Sequence, residues 1–387
     1  MALPDYIVRA SERKAHPYHM WDGICSIETT LESISGEYGQ NPAFAGENAA
    51  AKITAIAGKL AGMERIYFVG CGTSYYNGLA AQFVFNKIAG MNVTAVYALE
   101  FTEYPPLDLK KCAVAGVSHT GGTASVVAAL NKAKEAGAYT LAVTDVEGSA
   151  ICGAADAVLP VFGGREPSLP KTRSYLAALM KIYYLAAAVA RQRALGSPDI
   201  NPSKNYPEDF LNELRMVPQR AGAFLKKTEG PMKALAAKHY KAGYFFGSGI
   251  NLGSVFEAAL KLQETAQLIS IPFELEEGMH GPWVTMNSGD LVTVLHFNGF
   301  YRNKSLELIR SLKHIGVDLL VIGNDPAFNE EVEQHFLIEG SEIFSPFFTV
   351  LPFYQMAYFM ALEKGSNPDF MRFAEAPYLD TRLTLPR

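Results

Sequence analysis

Tyr67-Phe68-Val69-Gly70-Cys71-Gly72 and, in the second half of the chain, Tyr244-Phe245-Phe246-Gly247-Ser248-Gly249 are the two stretches on which the fold turns. Each is a short apolar run that ends in Gly-x-Gly, the pattern of a buried strand entering a tight turn before a helix. Outward from the first, strands are expected over 65–70, 113–118 and 140–146, with helices over 77–89 and 123–136. Around the second, strands are expected over 244–246, 291–297 and 318–322, with helices over 255–268 and 304–314. Short β-rich runs alternating with longer helical patterns imply βαβ units on parallel sheets, an α/β protein.

The matching stretches suggest an internal duplication, although Gly-x-Gly after a strand is common enough to recur by chance. A chain of 387 residues also suggests two domains. We place an N-terminal helical segment over 1–45, a first domain over 46–196, a linker and helix over 197–240, a second domain over 241–366 and a tail over 367–387. The join is expected near 196–209, where Ser197, Pro198, Pro202, Ser203 and Pro207 cluster.

The chain is 49% hydrophobic and 19% charged, which fits a compact globular protein. A net charge of -5 offers no basic field for nucleic acid. Cys25, Cys71, Cys112 and Cys152 form no CxxC pair, which argues against a structural zinc site or a disulfide framework. Asp5, Arg9, Glu12, Arg13 and Lys14 stand where a signal peptide would be apolar, so a cytoplasmic protein is expected. The apolar stretch 347–362 reads as a buried core helix rather than a membrane span.

Neither Gly-x-Gly completes a dinucleotide fingerprint, because Tyr75 and Leu252 stand at the third glycine position. No cofactor or metal is therefore expected. Thr73 and Ser74 follow Gly72, and a second hydroxyl-rich turn, Ser118-His119-Thr120-Gly121-Gly122-Thr123, follows another strand. Backbone N–H groups and hydroxyls at such strand-to-helix junctions can hold a phosphate. N-capping explains either turn alone; two such turns with glycines favour an anion site.

These turns resemble those of the sugar isomerase (SIS) family. Cys71-Gly72-Thr73-Ser74 is similar to the family's first turn, and Ser118 to Thr123 resembles its phosphate loop, with His119 inside it and Thr120 for the usual serine. Glu100-Phe101 resembles a pair in the isomerase part of glucosamine-6-phosphate synthases, and Thr172-Arg173 matches part of a further sugar-phosphate stretch. In the second half, Glu257-Ala258-Ala259-Leu260-Lys261-Leu262-Gln263-Glu264 and Glu277-Gly278-Met279-His280-Gly281-Pro282 are similar to the family's helix and loop motifs. The likeness spans about residues 20 to 365. It implies two doubly wound, flavodoxin-like SIS domains, a phosphorylated sugar as ligand and a homodimer or higher homo-oligomer with shared active sites.

Residues 257, 261 and 264 are separated by steps of four and three, so their side chains share one helix face. A solvated ion-pair ladder would look the same, but the apolar residues between them favour a cleft. Proton transfer between neighbouring carbons needs a base, and Glu264 fits. The resemblance places His280 beside the sugar's ring oxygen, reaching it from a second subunit.

The pattern also departs from the synthases. Ala2 stands where their glutaminase cysteine would be, so glutamine is not expected to supply nitrogen, and no lysine follows Lys364. The tail carries Arg372, Glu375, Tyr378, Asp380, Arg382 and Arg387 instead. Three readings remain: a phosphosugar isomerase or isomerising deaminase, a fructosamine-6-phosphate deglycase, and a sugar-phosphate sensor without turnover.

Overall fold

The computed structural model describes residues 3–38, 49–196, 206–328 and 332–385. The expected join around 197–205 lies outside the described residues. The chain forms two compact units: Ser26–Arg165 with Arg173–Arg220, and Ala221–Leu385 with Met1–Cys25 and Glu166–Thr172.

The first unit is built on a parallel sheet of β1 (Arg65–Gly70), β2 (Asn92–Tyr97), β3 (Cys112–Val117), β4 (Tyr139–Val143) and β5 (Ala157–Val158), in the order β2-β1-β3-β4-β5. β3 is buried along its whole length, as its run of Cys, Ala, Val and Gly requires of a strand covered on both faces. Helix α1 (Thr73–Ala89) follows β1, α2 (Ala124–Glu135) follows β3, and the long helix α3 (Arg173–Gly196) also belongs to this unit. Tyr67, Val69, Phe101, Val114, Leu130 and Ile151 meet in one core cluster.

The second unit repeats the plan. Its strands β6 (Ala242–Phe246), β7 (Ile269–Phe273), β8 (Leu291–His296), β9 (Asp318–Gly323) and β10 (Gln334–Leu337) lie in the order β10-β9-β8-β6-β7, all parallel. Read from β7, this is the strand order of the first sheet. Helix α4 (Leu252–Ala266) follows β6. The apolar stretch near the C-terminus is the short helix Pro346–Thr349 and α5 (Leu351–Glu363), buried from Phe347 to Ala361 as a core element. No helix among the described residues is long and apolar enough to cross a membrane.

Two features differ from the sequence expectation. Helix α1 starts at Thr73, not near residue 77, because Gly72 makes the turn itself at φ 52° and leaves Thr73 and Ser74 in the first helical turn. Four strands were not anticipated: β2, β5, β7 and β10. All four are sheet edges, where polar residues and Pro272 are tolerated and the apolar signal is diluted.

Candidate active site

In the first unit, β1 runs to β2 on one side and β3 lies on the other, so the carboxyl ends of β1 and β3 flank the point where the strand order reverses. Ligands of doubly wound sheets bind at such points. Both hydroxyl turns lie there. Cys71 Sγ, after β1, is 3.4 Å from Ser125 Oγ, after β3, so the turns adjoin. Gly121 has φ 67°, and a Cβ there would come within 1.9 Å of Ser149 Oγ, which restricts the loop's middle position to glycine.

Ser118 is buried, its N–H donates to Val143 O at 3.0 Å, and its Oγ is 2.9 Å from Thr123 Oγ1. Gly72 and Thr123 occupy the N-cap positions of α1 and α2, and neither helix has a side-chain cap bond there. The Thr123 hydroxyl therefore pairs with Ser118 rather than capping α2, while Thr120 Oγ1 accepts from the Gly122 N–H at 3.5 Å. The first turns of two helices, with their positive dipole ends, start at these loops beside Thr73, Ser74, Ser118, Thr120 and Thr123, a candidate anion cradle. The cradle can hold an anion.

His119 does not join that edge. Its ring is buried, with Nδ1 3.3 Å from Asp145 Oδ2, and Asp145 is in turn bound by Lys181 Nζ at 3.0 Å. Lys181 could have been singled out from the sequence, as the one charge in an apolar run. Thr172 and Arg173 fall in different units. Thr172 is buried, and its N–H and Oγ1 bind Glu166, at 2.9 Å for the hydroxyl. Arg173 opens α3 and donates to Gly164 O at 3.5 Å. Phe101 is core, and Glu100 is exposed.

In the second unit, α4 carries Glu257, Lys261 and Glu264 on one face, as their spacing predicts. Lys261 Nζ is 2.5 Å from Glu264 Oε2 and 3.6 Å from Glu257 Oε1, and the Tyr354 hydroxyl donates to Glu257 Oε1 at 3.1 Å. Glu257 and Lys261 are fully buried, whereas the Glu264 side chain is 23% exposed. The row is therefore not a solvated ladder. Burial alone would lower the Lys261 pKa, but Glu257, Glu264 and Glu166 outweigh it and raise it, so the ammonium stays charged. That ammonium is paired with Glu264, the one member of the row that is partly exposed.

Sequence reasoning missed Glu166 and Tyr354, which only tertiary structure brings to this row. Glu166 is buried against Gly23 of the helix His19–Cys25, where a Cβ would lie 2.8 Å from Glu166 Oε1.

His280 ends the short helix Leu275–Met279, 71% exposed, with Nε2 3.5 Å from Glu276 Oε1. It pairs with Glu276 rather than with the α4 row. Glu274 caps the same helix, accepting from the N–H groups of Glu276 at 2.8 Å and Glu277 at 3.0 Å, and it also accepts from the Ser248 hydroxyl. Across the Gly-Ser-Gly turn, a Cβ at Gly249 would meet the Tyr301 ring at 3.0 Å. The second unit's turn is thus closed by its own side chains. In the tail, Arg372 binds Glu375 at 2.8 Å and lies 3.9 Å over the Tyr378 ring.

Residues 59–188, which hold both hydroxyl turns, match the SIS domain family model. The chain carries a SIS domain over these residues. It is 31% identical over 312 residues to a glutamine–fructose-6-phosphate aminotransferase [isomerizing] of Clostridium tetani, an alignment that covers 79% of this chain and 50% of that relative. The chain thus spans about half the length of the curated relatives it matches. Among solved structures, the C-terminal domain of glucosamine-fructose-6-phosphate aminotransferase from Francisella tularensis superposes with a TM-score of 0.82 at 18% identity, covering 92% of this chain and 99% of that one. Tagatose-6-phosphate ketose/aldose isomerase from Escherichia coli gives a TM-score of 0.75 at 19% identity, covering 92% of this chain and 96% of that one. These two show that the paired-sheet SIS fold extends over both units.

Proposed function

We propose that this chain is an enzyme, a phosphosugar isomerase or isomerising deaminase for a hexose 6-phosphate or amino-hexose 6-phosphate. One observation carries the reading: Glu264 is the partly exposed end of an otherwise buried charged row. A carboxylate paired with a buried ammonium and still partly exposed suits a general base. The first unit's cradle is assigned the phosphate. Glu264 is assigned the proton on the carbon beside the carbonyl; the carboxylate takes it, leaving an enediol or enolamine, and returns it to the neighbouring carbon. His280 is assigned ring opening.

The reading includes a homo-oligomer in which His280 serves the site of a second subunit, supported by the ring's exposure. It gives no step to a metal or organic cofactor, and activity is expected to survive dialysis against a strong chelator. The relatives' printed activities, aminotransferase with isomerisation and ketose/aldose isomerase, support the substrate class. Incubation with hexose, amino-hexose and fructosamine 6-phosphates, with products read by mass spectrometry and ammonia release, tests it. An isomerised or deaminated product is the expected result, while release of an intact amine from fructosamine phosphates alone would replace the reading by a deglycase.

A further inference from the structure

Lys181 lies midway along α3 with no other charged residue between Arg173 and Arg191, and it is completely buried. An ammonium removed from water is tolerated only with partners. Lys181 has them beneath the hydroxyl loop: Nζ donates to Thr144 O at 2.9 Å and to Asp145 Oδ1 at 3.0 Å. Asp145, just past β4, reaches the loop twice. Its N–H donates to His119 O at 3.2 Å, and its Oδ2 is 3.3 Å from His119 Nδ1. His119 sits between Ser118 and Thr120, and its Nε2 is buried without a hydrogen-bond partner, so the 3.3 Å approach to Asp145 is the ring's one polar contact among the described residues.

A buried ion pair gains little stability over apolar side chains of the same size. This pair therefore needs another reason to be kept, and the backbone it grips supplies one. We propose that Lys181 and Asp145 are positioning residues for the anion cradle, fixing the loop at His119 from below so that Ser118 and Thr120 keep the geometry that receives a phosphate. The inference rests on the reading of that cradle as a phosphate site. Neither residue touches the ligand; both act through His119.

The test uses inorganic phosphate as probe, titrated against the full chain and followed by phosphorus NMR. Lys181→Met combined with Asp145→Leu removes both charges at similar volume, and the folded protein is expected to keep its thermal midpoint while phosphate affinity falls roughly tenfold or more, the scale of one lost polar contact. In turnover, KM should rise and kcat should hold, a split that general loosening of the fold would not produce. Wild-type affinity in this variant overturns the inference. Should the pair replacement not fold, His119→Phe takes its place, and unchanged phosphate affinity there overturns it equally. Ser118→Ala with Thr120→Ala separates the two ideas: phosphate binding that survives this change removes the cradle reading itself, whereas binding lost here but kept in the Lys181 and Asp145 variant removes only the positioning role.

Discussion

Cys71 Sγ lies 3.4 Å from Ser125 Oγ and so brings the turn after β1 against the first turn of α2, at the point where the sheet order reverses. Residues on either side of that contact are expected to bind one anion together. Ser118→Ala with Thr120→Ala should weaken sugar-phosphate binding by a few kcal/mol, since a hydrogen bond to a charged group is worth roughly 1.5 to 3 kcal/mol. Calorimetry that returns the wild-type affinity would sink the assignment.

Glu264→Gln keeps the contact with Lys261 and removes the basic electron pair. Turnover should drop by roughly 10² to 10⁴, the usual worth of a general base, with little change in binding. Incorporation of solvent deuterium at the carbon beside the carbonyl is the direct measurement. A variant that labels that carbon at the wild-type rate would move the role to another carboxylate, with Glu277 next in line.

His280→Asn should depress turnover of closed-ring substrate far more than that of an analogue fixed in open-chain form. If the ring serves a second subunit, mixing and reassociating the Glu264→Gln and His280→Asn proteins should restore roughly a quarter of wild-type activity, because half the dimers are hybrids with one intact site. Mixtures no more active than their parts would show that the histidine works within its own chain.

Burial by itself would raise the Asp145 carboxyl, but Lys181 and then His119 outweigh it and hold the group at about 2, below its ordinary 3.8. As pH falls, the unfolded chain takes up the proton first, so this carboxylate's contribution is complete above about pH 4 and is lost toward pH 2. Urea unfolding followed across that window should show a shallower pH dependence in Asp145→Asn than in the wild type. Equal slopes would mean that the carboxylate titrates normally.

Much of this was written in the sequence in unequal strength. Central strands such as β1, β3 and β8 are uninterrupted apolar runs and could be read directly, whereas the edge strands β2, β5, β7 and β10 carry the polar residues that an edge permits. The α4 row was legible because 257, 261 and 264 obey helical spacing. Glu166 and Tyr354 were not, since their place beside that row depends on how a loop and a distant helix fold back within the second unit. His119 shows the opposite limit: a position inside a phosphate-type loop did not reveal that its ring turns inward to Asp145.

Glu274 gives the repeated architecture an asymmetry that can be counted. In the second unit it supplies a built-in carboxylate to Ser248 and to the first N–H groups of Leu275–Met279, while Tyr301 covers Gly249. The hydroxyl of the copied turn therefore already has a carboxylate partner, and a duplicated domain need not mean a duplicated ligand. A phosphate titration is expected to saturate at one equivalent per chain, and a second equivalent of similar affinity would show that the internal carboxylate yields its place.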